Sequence, residues 1–82
     1  MPSVRNFFYT EVIKILENNG FAQINQVGSH EVYYRSETDM TVSVPFHGKK
    51  ERITPGTMSN IIRCSGMARE KWFTEQKKLK KH

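Results

Sequence analysis

Hydrophobic residues near the start of the chain follow the period of an α-helix. They recur at intervals of three and four residues and would share one helical face: Phe8, Val12, Ile15 and Leu16. Gly20 is suited to the left-handed conformation that ends a helix. Two starts fit the pattern, Thr10 as the N-terminal cap or Ser3 at the beginning of a longer helix. The pattern predicts the helix and leaves its first residue open.

The middle of the chain changes to the two-residue period of β-strands. Residues 21–27 and 30–35 predict two strands joined by a turn at Gly28 and Ser29, the second being rich in residues that favour strands. A third strand follows, in which one face is apolar: Met40, Val42, Val44 and Phe46. Pro45 has no amide proton to donate, so this strand is expected at an edge of the sheet.

Two further helices are predicted after the strands. The first starts at Pro55-Gly56-Thr57 with Thr57 as its cap, ends at Gly66, and turns three residues to the core: Met58, Ile61 and Ile62. The second runs from about residue 68 to 79 and docks Trp72 or Phe73. The order α-β-β-β-α-α makes residues 1–82 a single α+β domain.

Composition excludes several classes of protein. A chain of 82 residues has room for one thin core, and its only cysteine, Cys64, excludes an internal disulfide and thiolate zinc sites. His30, His47 and His82 lie far apart in the sequence without carboxylates at ligand spacing, so no metal cofactor is expected. The chain has neither a signal-peptide pattern nor a membrane-spanning apolar stretch, which favours the cytoplasm and no membrane partner.

Charge is distributed unevenly along the chain. Residues 1–48 hold three basic and five acidic side chains, a net charge of −2, whereas residues 49–82 hold ten basic and three acidic ones, a net charge of +7. A basic half of this size favours a polyanionic partner, with nucleic acid first and an acidic protein second. The alternative is a solvated helical tail that aids solubility.

The turn Gly28-Ser29-His30 carries the first candidate chemistry. Gly28 can adopt a positive φ, and His30 then opens the second strand where its imidazole can reach solvent. Because histidine titrates near neutral pH, such a side chain suits proton transfer. Ser29 is interpreted as a turn-forming residue rather than a nucleophile, since no histidine–carboxylate pair accompanies it.

Five segments in this order resemble the HicA (YcfA-like) mRNA interferase toxins. They are residues 12–17 with Gly20-Phe21, Gly28-Ser29-His30, the strand end at residues 44–47, the helix start at Gly56-Thr57, and the helix end at Gly66-Met67. The resemblance implies a double-stranded-RNA-binding-like fold whose three-stranded antiparallel sheet has helices on one face. It also implies metal-independent cleavage of mRNA with His30 as the essential histidine, and neutralisation by a HicB-like antitoxin. Residues 1–9 and 76–82 are an extension and a basic tail beyond the pattern.

The remaining candidates are cations and aromatic residues. His47, Lys49 and Lys50 could supply the second group that protonates the leaving oxygen or neutralises the phosphorane, and Lys49, Lys50 and Arg52 could bind RNA phosphates. The alternatives are a structural or RNA phosphate-contacting role for His47 and a solvated loop for the cations. Tyr33 and Tyr34 could stack on bases, although core packing is expected for at least one of them. The rival functions are a non-enzymatic RNA-binding module and a small interaction protein.

Overall fold

The predicted order of elements is confirmed in the computed structural model, which describes residues 6–80. The elements are α1 (Tyr9–Asn18), β1 (Ala22–Val27), β2 (His30–Arg35), β3 (Met40–Pro45), α2 (Pro55–Ser65) and α3 (Arg69–Lys80). Ser3 and His82 lie outside the described residues. The longer version of the first helix is nevertheless wrong, because Phe8 has an extended backbone and forms a bridge with Arg52. The topology is the double-stranded-RNA-binding-like one that the resemblance implies.

The three strands form an antiparallel sheet in the order β1-β2-β3, so that β2 is central. His30, the first residue of β2, lies opposite Val27 of β1 and Pro45 of β3. Pro45 therefore ends an edge strand, as predicted. Gly28 adopts φ +60° in the turn between β1 and β2, which a residue without a Cβ does at little cost.

The core lies between one face of the sheet and the helices. Val42 and Val44 are fully buried on β3 and confirm the alternation that predicted this strand. Phe7 and Trp72 are also fully buried and meet edge to face, with ring centroids 6.1 Å apart. Phe7 belongs to residues 1–9, which the sequence sets apart as an extension, and its burial adds an aromatic ring to the core.

Both predicted threonine caps are wrong. Helix α1 begins one residue before Thr10, with Phe8 at the cap position, and the Glu11 carboxylate accepts a hydrogen bond of 3.0 Å from the Phe8 amide. Helix α2 is capped at Thr54 and begins at Pro55, which places Thr57 inside the helix. Proline suits a first helical position because its φ is already helical and its missing amide proton would have had no acceptor there.

Candidate functional site

The imidazole of His30 is exposed at the end of the central strand. The tight turn before it holds His30 between Val27 and Pro45, and the Phe46 amide extends the pairing by donating a hydrogen bond of 2.7 Å to the Ser29 carbonyl. Backbone pairing on both sides fixes the position of the His30 main chain. An exposed imidazole on a fixed main chain is the arrangement that proton transfer with a bound substrate needs.

A groove of about 510 Å³ runs from this end of the sheet to the N-terminus of α2. Three of the predicted site residues line it: His30, His47 and Arg52. Lys49 and Lys50 do not line the groove; they are exposed on the turn just before Glu51, which does. The structure therefore brings two histidines and one guanidinium together and leaves the two lysines beside the groove.

Arg52 is held in place by the segment that leads into α1. Its backbone forms an isolated antiparallel bridge with Phe8, and its guanidinium carbon lies 5.2 Å from the centre of the Phe8 ring. This stacking restrains the long side chain while its charge stays exposed. A restrained guanidinium is better prepared to meet a phosphate than one that samples many rotamers.

Sequence reasoning missed the polar wall that α2 contributes to the groove. Gly56, Thr57 and Asn60 line it from the first turns of α2, and Ser43 lines the groove from β3 on the same sheet face as His30. The first amides of a helix have no acceptor within it and carry partial positive charge, so this wall favours an anion. The strand alternation places Ser43 on the face opposite Val42, but no sequence signal placed α2 beside it.

The two neighbouring tyrosines of β2 have different environments. Tyr33 is buried at 3% exposure, as expected for a tyrosine that packs in the core. Tyr34 lies on the other face, partly exposed, and its hydroxyl donates a hydrogen bond of 2.8 Å to the Asp39 carboxylate. That hydrogen bond, with some burial, raises the pKa of Tyr34 above its ordinary value. Tyr34 is at the end of β2 remote from His30.

Tyr9, near the groove, is the tyrosine whose pKa is shifted most strongly. It is the first residue of α1 and is only 9% exposed, and its hydroxyl donates a hydrogen bond to the carboxylate of Glu31. Burial first, and then the hydrogen bond to Glu31, raises the pKa of Tyr9 far above that of a free tyrosine. The hydroxyl therefore stays protonated and remains a donor at any physiological pH.

Two classes of site have no support within residues 6–80. No group of three or more His, Cys, Asp or Glu side chains in that range is arranged to hold a metal ion. None of its helices combines the length and the apolar composition that a membrane span requires.

A family model matches most of the chain. No curated protein matches the chain, but a family model described as "HicA toxin of bacterial toxin-antitoxin" matches residues 9–67. The matched region covers most of the chain, from the first residue of α1 to just beyond α2, and contains every residue named in the groove. The chain therefore belongs to the HicA family of toxins from bacterial toxin–antitoxin systems.

Proposed function

We propose that this protein is an endoribonuclease that cleaves mRNA without a metal, with His30 as a general acid or base. The observation that supports it best is the exposed imidazole of His30 at a groove that Arg52 and the N-terminus of α2 also line. A proton acceptor, a guanidinium and helix amides are the groups that phosphodiester cleavage needs in one place.

The reaction begins at the ribose 2′-hydroxyl of a bound RNA. Neutral His30 removes its proton, the 2′-oxygen attacks the adjacent phosphorus, and the bond to the 5′-oxygen breaks. The products are a 2′,3′-cyclic phosphate and a 5′-hydroxyl, and the proton on the latter comes from a second group. His47, which lines the same groove, is the candidate for that donor. Arg52 and the free amides of α2 stabilise the additional negative charge of the phosphorane.

Lys49 and Lys50 extend the site along the RNA backbone. Both are exposed immediately after His47 and before the groove residue Glu51, so a strand that crosses the groove passes close to them. Contacts to phosphates raise affinity without selecting a sequence. These lysines therefore contribute to RNA binding and leave the chemistry to the groove.

Membership in a toxin–antitoxin family implies an antitoxin partner. A HicB-like antitoxin would block this site by covering the groove, because the exposed His30 lines it together with His47 and Arg52. Charge complementarity with the basic half of the chain would mainly speed association.

The deciding experiment compares the parental chain with His30→Ala and with Gln23→Ala. Gln23 is an exposed residue of β1 and serves as the matched control. We expect His30→Ala to remove growth arrest and to reduce RNA cleavage at least about 10²-fold, with unchanged circular dichroism because the side chain is exposed. Gln23→Ala should behave as the parent. Parental cleavage should persist in excess EDTA and leave 2′,3′-cyclic phosphate ends.

Three results would contradict the proposal. Cleavage by His30→Ala at the parental rate would remove the histidine from the reaction. Loss of cleavage in EDTA with recovery in Mg²⁺ would assign a metal-assisted mechanism. RNA binding without cleavage by the parental chain would favour the non-enzymatic RNA-binding module.

A further inference from the structure

We propose that Tyr9 is a positioning residue for His30, which it holds in place through a hydrogen bond to Glu31 and a ring contact with Phe46, whose amide binds Ser29. The proposal rests on the proposed function for its catalytic consequence. Tyr9 does not need to touch the imidazole; it fixes the backbone that carries it.

The first contact is with the residue that follows His30. The Tyr9 hydroxyl donates a hydrogen bond to the Glu31 carboxylate, which joins the first turn of α1 to the start of β2. Successive strand residues point to opposite faces, so Glu31 faces the helices while His30 faces the groove. A restraint on Glu31 from behind the sheet therefore limits the motion of His30 in front of it.

The second contact is with Phe46, which in turn binds the residue that precedes His30. The ring of Tyr9 packs on that of Phe46, with centroids 4.9 Å apart and planes inclined by 60°. The Phe46 amide in turn donates its hydrogen bond of 2.7 Å to the Ser29 carbonyl. Because the ring and the hydroxyl act on opposite sides of His30, one side chain restrains the whole turn.

The backbone of Tyr9 is anchored to the other side of the groove. Its amide donates a hydrogen bond of 2.9 Å to the Glu51 carbonyl, and the Ile53 amide donates one of 2.8 Å to the Phe7 carbonyl. Glu51 and Ile53 both line the groove, as does Arg52 between them. Tyr9 therefore links the strand end that bears His30 to the segment that bears Arg52.

The test separates the hydroxyl from the ring. Tyr9→Phe keeps the ring on Phe46 and removes only the donor to Glu31. We expect the kcat for RNA cleavage to fall about tenfold with KM nearly unchanged, because small displacements of a catalytic group slow the chemical step. Glu31→Ala should reproduce this loss, whereas Glu31→Gln keeps an acceptor oxygen and should retain most of the activity.

Tyr34→Phe provides the matched control. It also removes a tyrosine hydroxyl bonded to a carboxylate on β2, but at the end of the strand away from His30. We expect parental kcat and KM from this variant. Combining Tyr9→Phe with Glu31→Ala should cause no loss beyond that of either single variant, since both remove the same interaction.

A second readout keeps this proposal separate from the proposed function. Backbone amide order parameters from NMR should fall at Ser29, His30 and Glu31 in Tyr9→Phe and stay parental in Tyr34→Phe. If the parental chain cleaves no RNA, the proposed function fails while these order parameters still test the positioning role. Unchanged order parameters in Tyr9→Phe would overturn the proposal. So would an equal loss of kcat in Tyr34→Phe, or increased motion spread over the whole chain.

Discussion

The two edge strands of the sheet differ in almost every respect. All six residues of β1 are exposed, including Ile24 at 58% and Val27 at 62%, and no charged side chain lies on the strand. On β3, Val42 and Val44 are fully buried and α2 packs along the strand. Helix α2 packs at the β3 edge of the sheet, and the candidate site lies at that same edge.

This asymmetry explains where the chemistry can lie. A groove needs two walls, and at the edge of β3 helix α2 supplies the second one. The other edge strand, β1, carries no cationic side chain. The register of β1 against β2 shifts between Gln23 and Asn25, and bulges of this kind discourage an edge strand from pairing with other chains.

The largest expected difference between the two sides is in stability. Ile61 of α2 is fully buried, whereas Ile24 of β1 is 58% exposed. Ile61→Ala should lower the free energy of unfolding by about 2–5 kcal/mol through lost burial and a residual cavity, and Ile24→Ala by no more than about 0.5 kcal/mol. Urea denaturation of both variants measures the contrast. Equal losses would mean that β1 is covered in solution, contrary to its exposure here.

The next effect concerns the two groups of lysines. Replacing Lys49 and Lys50 with alanine should weaken RNA binding and reduce the slope of log affinity against log salt by about two if both contact phosphates. The matched control is the double change of Lys77 and Lys78, exposed on α3 and outside the groove. It should reduce the slope less, and the RNA cleavage rate hardly at all. A larger reduction of the slope in the Lys77 and Lys78 variant than in the Lys49 and Lys50 variant would place the RNA along α3.

The control changes side chains instead of deleting residues 76–82 because α3 is integrated into the fold. Gln76 is 8% exposed, and its amide donates hydrogen bonds of 2.7 Å to the Asn6 carbonyl and 3.2 Å to the Glu11 carboxylate. Deleting this segment would remove buried contacts together with charge. The sequence shows only a basic tail there, since a contact between residues 70 positions apart leaves no local pattern.

Local patterns predicted the elements well and their N-terminal caps poorly. The alternation from Met40 to Phe46 predicted the third strand correctly, because burial on one face imposes a period of two. The missing amide proton of Pro45 predicted its edge position. Thr10 and Thr57 failed as caps because both helices begin earlier, at Tyr9 and Pro55, which places the two threonines inside the helices. N-cap preferences rank residue types at the cap position, but they do not decide which of several neighbouring residues occupies that position.

The residues of the candidate site also fall into two groups, those that the sequence predicted and those that it did not. Three groove residues, His30, His47 and Arg52, were singled out from turn chemistry, charge and family resemblance. Asn60 and the link from Tyr9 to Glu31 were not, because each depends on how helices dock against the sheet. Sequence reasoning finds reactive groups, whereas the walls and supports around them come from tertiary packing.

The smallest expected effect is a change in stability at alkaline pH. It comes from the buried Tyr9 and not from β1, which has no ionisable side chain. The raised pKa of Tyr9 means that the folded protein keeps this proton at a pH where the unfolded chain, with a tyrosine pKa of about 10, loses it. The free energy of unfolding is therefore unaffected by Tyr9 below about pH 10 and falls as the pH rises further. Tyr9→Phe should show a shallower decline between about pH 9 and 11 in urea denaturation. Tyr33 and Tyr34, whose pKa values are also raised, keep some decline in the variant. Parallel curves for parent and variant would show that the Tyr9 hydroxyl is free in solution and would break its link to Glu31.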